Sequence, residues 1–205
     1  MEPILLQPAK GTVRQVGNED YYKFVAGKLN GLLTVPPSPT NSGILSRLRR
    51  WSPTKPETDA VVLRWMADMP LTEWDEKHPQ VAAPRETAFL TVGSLMAVHF
   101  QKAHANPLEN GIPFATAIAQ IAGDKDNGIT RRFTALLSSK TYGLTYKYLR
   151  ALVQFAASAK VPIDYVQLAC DLVDFLNPRR QRQVIAKWSR QFARKPKSKT
   201  DSSSK

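Results

Sequence analysis

Three features of this 205-residue sequence predict an all-α fold. Apolar residues recur at spacings of three and four through most segments, which is the period of one helical face. Prolines, and Ser, Thr, Asp or Asn residues able to cap a helix, stand where those segments begin or end. No segment sustains the alternation of a half-buried strand, and the Asn-Gly dipeptides have no alternating flanks.

The elements follow in order. Glu19 to Leu33 places Tyr22, Val25, Leu29 and Leu32/Leu33 on one helical face, ended by Gly31 and the run Pro36-Pro37-Ser38-Pro39. Residues 34 to 43 read as a loop, Ile44 to Arg50 as a short helix stopped by Ser52-Pro53, and Thr58 to Met69 as a helix closed by Pro70. Pro84 opens the next helix at its first turn, where a missing N–H costs nothing. Phe89, Val92, Met96 and Phe100 form its buried face, making it the centre of a first bundle. After Asn106-Pro107 and Asn110-Gly111 come helices at Pro113 to Ala122 and Ile129 to Ser138. Thr141 caps a helix whose packed side is Leu144, Tyr148, Leu152 and Phe155, Asp164 caps one carrying Leu168, Leu172 and Phe175, and Asn177-Pro178 opens Arg179 to Ala193.

This reading gives two small helical subdomains. Residues 1–17 are an N-terminal extension, 18–104 a first subdomain, 105–112 a short linker, 113–194 a second subdomain and 195–205 a basic tail. The tail has no apolar side chain whose burial could offset its ordering entropy, so it is expected to be disordered.

Composition narrows the function. Hydrophobic residues make up 42% of the chain, enough for a core, and the one cysteine, Cys170, cannot form an internal disulfide. The first residues lack a basic stretch followed by an apolar one, and no run is long enough to span a bilayer, so a soluble cytoplasmic protein with no membrane role is expected. The 29 Lys and Arg against 17 Asp and Glu leave +12, unevenly spread. Residues 175–205 carry +9 and 44–56 carry +4, whereas 57–86 carry −4 and 129–174 carry +3. Such polarity points to a polyanion, because phosphates attract Lys and Arg and release condensed counterions on contact.

Catalytic and metal motifs fail on spacing. Asp124 to Gly128 puts glycine at position 5 of a would-be calcium loop and Ala135 at position 12, which is no calcium site. His99 and His104 lie roughly 140° apart on a helix and cannot share a metal. Gly93-Ser94 lacks the strand and second glycine of a nucleophile elbow and reads as a helix-packing pair. Cys170, between Leu168 and Leu172, reads as a small half-buried hydrophobe. Glu73, Asp75 and Glu76 cluster in a polar loop with no histidine or phosphate cradle beside them. No enzymatic activity and no cofactor are expected.

The basic helices carry the functional signal. On a projection with Val184 at zero, Ile185, Trp188 and Phe192 fall within roughly 100°, while Arg179, Arg180, Lys187, Arg190 and Arg194 fall between roughly 220° and 320°. Lys147 and Arg150, with Gln154, are expected to point away from Leu144, Leu152 and Phe155; Arg131 opposes Phe133 and Leu136, with Arg132 at the flank. Arg47, Arg49 and Arg50 complete the candidate nucleic-acid-binding set. Stripes dominated by arginine and free of interleaved exposed aromatics suit a phosphate backbone better than base stacking.

The order of short motifs resembles the CasB family, the small subunit of the type I-E CRISPR surveillance complex, Cascade. Gly43-Ile44-Leu45-Ser46-Arg47-Leu48-Arg49-Arg50 resembles the family's Gly-x-x-Ala-x-Leu-Arg-Arg opening and is followed by the Leu63-Arg64-Trp65 helix. Arg131-Arg132-Phe133-Thr134-Ala135-Leu136-Leu137, Tyr148-Leu149-Arg150-Ala151-Leu152-Val153, Pro162 to Leu168, Asp171-Leu172 and the Arg-rich helix with Trp188 follow in turn. Departures are Ser46 for alanine, Gly111-Ile112-Pro113-Phe114 where the family has Gly-x-Ser-Leu, and apparent additions at 1–17 and 34–43. The resemblance implies a non-catalytic, all-helical subunit present in more than one copy. It also implies backbone and large Cascade subunits as partners, and basic surfaces that help hold the guide RNA, the target DNA and the displaced strand in the R-loop. Sequence specificity would then rest on guide pairing. Apart from the resemblance, a helical adaptor for acidic proteins and an undetected nuclease or hydrolase remain the other readings of the residues.

Overall fold

Local signals set most helix ends in the computed structural model, which describes residues 13–33, 38–55, 59–70, 79–103, 111–123 and 128–194. Among the described residues nine helices follow one another: α1 (Val13–Leu32), α2 (Pro39–Arg50), α3 (Ala60–Met66), α4 (Pro79–Ala103), α5 (Phe114–Ala122), α6 (Gly128–Leu137), α7 (Tyr142–Ser158), α8 (Tyr165–Leu176) and α9 (Gln181–Ala193). The described residues hold no strand, only an isolated bridge between Ile112 and Ile163. The fold is all-α, as expected. No described helix is long and apolar enough to cross a membrane.

Several caps act as the sequence predicts. Thr141 Oγ1 accepts from Leu144 N, and Asp164 Oδ1 accepts from Gln167 N at 2.8 Å. Each satisfies a backbone donor that has no partner within its helix. Other boundaries move. Helix α2 starts at Pro39 rather than Ile44, because Ser38 Oγ accepts from Asn41 N at 3.1 Å and Pro39 supplies a ready-made first position. The proline-rich run therefore hides a helix start. Helix α3 runs only from Ala60 to Met66, with Asp59 as its cap and i→i+3 bonds from Ala67 N to Arg64 O and Met69 N to Met66 O tightening its end. Pro84 lies inside α4, which begins at Pro79. Helix α9 opens at Gln181, two residues late, since Asn177 Oδ1 accepts from Arg179 N and closes a turn first.

Helix α4 is the axis of the molecule. Every residue from Ala88 to His99 is buried, as expected of a helix surrounded by others. It packs against α2, α7 and α8, with α1 lying on α8 and α9 on α5 and α8. One hydrophobic cluster runs from Leu29 and Leu48 through Phe89 and Met96 to Leu149, Leu172 and Trp188. Full burial of such side chains contributes roughly 1.5–3 kcal/mol each. Gly93 faces α2 and α3, where a Cβ would meet the Leu48 methyls and the Trp65 ring at 3.4 Å, an ordinary contact.

Two packed faces differ from the sequence reading. In α1 the buried tyrosine is Tyr21, while Tyr22 is 46% exposed. In α7 Leu144 and Phe155 are 43% and 38% exposed, and Thr145, Tyr146, Leu149, Leu152, Val153 and Ala156 are buried instead. Helix α7 offers two apolar arcs. The one that packs contains Tyr146, whose hydroxyl pairs with Ser94 of α4, and Thr145, whose hydroxyl bonds Ser139 and the Thr141 carbonyl, pairings that periodicity alone does not register.

Gly111 is a position where the chain needs the smallest residue. Its Cβ would come within 2.9 Å of Asp164 N and Cα, where Asp164 N donates to Ile112 O. This contact holds the strand-like approach to α5 against the cap of α8. Of the expected linker at 105–112, only Gly111 and Ile112 are described; residues 1–12, residues 34–37 of the expected loop, Glu73 to Glu76, His104, Asp124 to Asn127 and the expected tail at 195–205 lie outside the described residues.

Candidate nucleic-acid interface

A sealed polar seam ties α4 to the second half of the chain. Thr91 Oγ1 lies 2.7 Å from Tyr142 OH, Ser94 Oγ 2.8 Å from Tyr146 OH, and His99 Nδ1 2.8 Å from Tyr165 OH. Each buried polar group on α4 thus meets a tyrosine of α7 or α8. Burial pushes the Tyr142 and Tyr165 hydroxyls well above the usual tyrosine range and pulls His99 down to about 4. These groups stay neutral in ordinary buffers.

Arginine extends this seam. Arg150 Nη1 donates to Tyr146 OH at 2.9 Å and Nη2 to Arg49 O at 3.0 Å, while Tyr146 OH donates to Trp51 O. Arg49 Nε donates to Ala97 O at 3.1 Å. The carbonyls of Arg49 and Trp51, left over at the end of α2, are satisfied by α7. Arg150 therefore points inward, contrary to the expectation of an outward row with Lys147.

The last helix divides in the same way. Asp171, 7% exposed, accepts from Gln167 Nε2 at 2.9 Å, Lys187 Nζ at 2.6 Å and Trp188 Nε1 at 2.8 Å. Arg180 Nη1 meets Asp174 Oδ1 at 2.6 Å. Neither Lys187 nor Arg180 stands free on the outer row as projected. At roughly 300° and 320° they sit at the margin of the packed arc, within reach of the α8 carboxylates. Arg179, Arg190 and Arg194 are exposed, and so is Arg182, which lies outside the sequence-derived set and which only its charge could have flagged.

The remaining candidates are spread over two helix ends and one broad face. Arg47 is engaged by Asp59 Oδ2 at 3.0 Å and by Gly43 O, whereas Arg50 is exposed. Arg47, Arg50 and Lys55 line a hollow of about 200 Å³ with Ser52 and Asp59. Arg131, Arg132 and Lys147 are exposed on the packed pair α6 and α7. Phe192 stacks on Phe133 at 4.2 Å, which brings the end of α9, with Arg190 and Arg194, beside α6.

That face also carries what the sequence reading excluded, an exposed aromatic among cations. Arg132 Nη1 donates to Gly128 O at 2.8 Å, and its guanidinium lies 5.3 Å from the centroid of the Phe155 ring. From Gly128 to Ile163 the chain holds six Arg and Lys and no Asp or Glu. No carboxylate of its own segment neutralises this surface.

Chemistry-bearing groups are elsewhere and dispersed. The Cys170 thiol is pushed up to about 11, first by burial and then by Asp171, Asp164 and Asp174, which leaves almost no thiolate near neutrality. Among the described residues no three His, Cys, Asp or Glu side chains gather as metal ligands. A cleft of about 620 Å³ between the Trp51–Lys55 turn, α3 and α4 has Lys55 and Glu86 as the ionisable side chains among its described lining residues.

Compared with known proteins, residues 44–192 match the family described as CRISPR-associated protein Cse2. The chain is also similar to the crystal structure of CasB from Thermobifida fusca, at 25% identity and a TM-score of 0.63, over 86% of this chain and 97% of that one. No curated protein matches.

Proposed function

The chain belongs to the CasB/Cse2 family, and from that membership we propose that it is the small, non-enzymatic subunit of the Cascade surveillance complex. In this reading it binds the guide RNA and target DNA and steadies the displaced strand of the R-loop. Backbone and large subunits and further copies of itself are its neighbours, with a first subdomain at 18–104 and a second at 113–194 as the units that meet them. The match over residues 44–192 carries the reading, since it takes in both the α2 cations and those of α6 to α9. The exposed Arg50, Arg131, Arg132, Lys147, Arg179, Arg190 and Arg194 support it, because exposed cations are what a phosphate backbone attracts. Arg49, Arg150, Arg180 and Lys187 act indirectly, by holding the helices that present the others.

Co-expression with the other subunits and a CRISPR array tests the proposal. A tagged chain should co-purify with them and with a small guide RNA. Recovery of an acidic protein in their place, with no RNA and no displacement by heparin, would favour the adaptor reading.

A further inference from the structure

Four residues of α7, Leu144, Tyr148, Ala151 and Phe155, are spaced by four, three and four and fall within roughly 60° on the helix surface. This is the outer apolar arc of α7, from which Tyr148 still packs in part against the core cluster. Among the described residues Leu144 and Phe155 are two of the few large hydrophobic side chains left exposed, and Tyr148 and Ala151 between them are half-buried. Lys147 and Gln154 flank the stripe on one side of α7; Arg132 reaches over its end from α6, with Arg131 on the adjoining position.

We propose that this stripe is a stacking platform for the unpaired bases of a single nucleic-acid strand, whose phosphates run along Lys147, Arg131 and Arg132. The inference rests on the nucleic-acid reading above and gives it a second kind of contact. An apolar surface bounded by cations fits a ligand that is flat and apolar in one part and anionic in the next, as each nucleotide of an unpaired strand is. A duplex does not qualify, because its bases are already stacked on one another. A second copy presenting the same face is disfavoured, since it would bring two carboxylate-free segments of like charge together.

Arg132 makes the platform rigid. Its guanidinium is held by Gly128 O and by the Phe155 ring, so its plane is ordered before any base arrives. A guanidinium so placed offers both a stacking surface and a charge. Phe155 contributes no charge, which separates stacking from phosphate contact in an experiment.

The test measures binding of the full chain to a deoxythymidine oligonucleotide, to an abasic strand with the same phosphates, and to a duplex. Phe155→Ala should weaken the thymidine strand about tenfold, leave the abasic strand and duplex unchanged and keep the salt slope. Phe155→Trp should restore binding and report stacking through quenched fluorescence. Circular dichroism should be unaltered in both, as the side chain is exposed. Equal affinities of wild type and Phe155→Ala for the thymidine strand, or an equal loss on all three ligands, overturn the platform. So does a wild-type dimer that Phe155→Ala dissociates, which assigns the stripe to a second copy. If the wild type binds no strand at all, the nucleic-acid reading fails with it; binding that ignores Phe155 overturns the platform alone.

Discussion

Arg150 and Arg132 stand on neighbouring helices within one carboxylate-free stretch, yet they have opposite fates. Arg150 is drawn into the seam, where it bonds Tyr146 OH and the Arg49 carbonyl and so ties α7 to the end of α2. Arg132 stays on the surface, bonded to the Gly128 carbonyl of its own turn and lying over Phe155. The difference is the presence of an acceptor on another element. The Arg49 carbonyl, in the last turn of α2, is left over by its own helix, and the Arg150 guanidinium satisfies it while favouring the negative end of the helix dipole. Among the described residues no acceptor from another element bonds Arg132. A cation's role here is set by what the neighbouring helix leaves unsatisfied.

The sharpest way to break that comparison is to truncate both residues. Arg150→Ala removes charge-assisted bonds to the Tyr146 hydroxyl and the Arg49 carbonyl, with a longer one to Ser94 Oγ, and should cost roughly 3 kcal/mol. For a chain of this size that is a fall in midpoint of about 6–12 °C. Arg132→Ala should cost under about 1 kcal/mol, as for an exposed side chain. Urea unfolding of the two variants beside wild type gives both numbers. Similar losses would show that exposure does not separate the two roles.

The fold was legible because its signals are local. Thr141 and Asp164 cap as their identities suggest, and the apolar period locates α5, α6 and α8 within a residue or two. The faces were harder, because a single helix can carry two apolar arcs. Tyr148 and Phe155 look as buriable as Tyr146 and Val153; what decides is that Ser94 and Trp51 O offer hydrogen bonds to Tyr146. The candidate site was legible in charge and less so in direction. Nothing local shows that Lys187 will reach Asp171, sixteen residues away, or that Arg150 will reach the carbonyl of Arg49. Those pairings exist only once the helices pack.

The seam can also be probed without altering arginine. His99 is held near 4 in the fold by burial against an ordinary value of 6.5. The unfolded chain therefore takes up a proton first as pH falls, and stability drops from about pH 6.5 downward, reaching a floor only below the folded value. By pH 5 the loss from this one group should be about 2 kcal/mol. His99→Gln keeps a polar group opposite Tyr165 OH and removes the titration. Between pH 7 and 5 the variant should lose about 2 kcal/mol less than wild type. Parallel pH profiles for the two proteins would mean that the His99–Tyr165 pair opens readily to water and that the seam is less sealed than its geometry indicates.

The smallest expected change in stability belongs to the outer face, and it is where binding should respond most clearly. Arg131 and Arg190 are exposed and, among the described residues, pair with no carboxylate, so Ala at both positions should shift unfolding by about 0.5 kcal/mol or less each. If they contact phosphate, each should flatten the slope of log affinity against log salt by roughly 0.7 for a single strand. The loss should be equal for unrelated sequences, because a phosphate contact carries no base information. Arg180→Ala provides the contrast. Its guanidinium is already held by Asp174, so truncation should leave the slope nearly unchanged while lowering stability by up to about 1 kcal/mol, the range for a partly exposed pair. Titrations of the Arg131→Ala/Arg190→Ala protein and of Arg180→Ala against two unrelated strands at several salt concentrations decide the matter. A slope that falls for Arg180→Ala and not for the double variant would reverse the assignment of inner and outer cations, and phosphate tracking would then have to be sought along the α8–α9 seam.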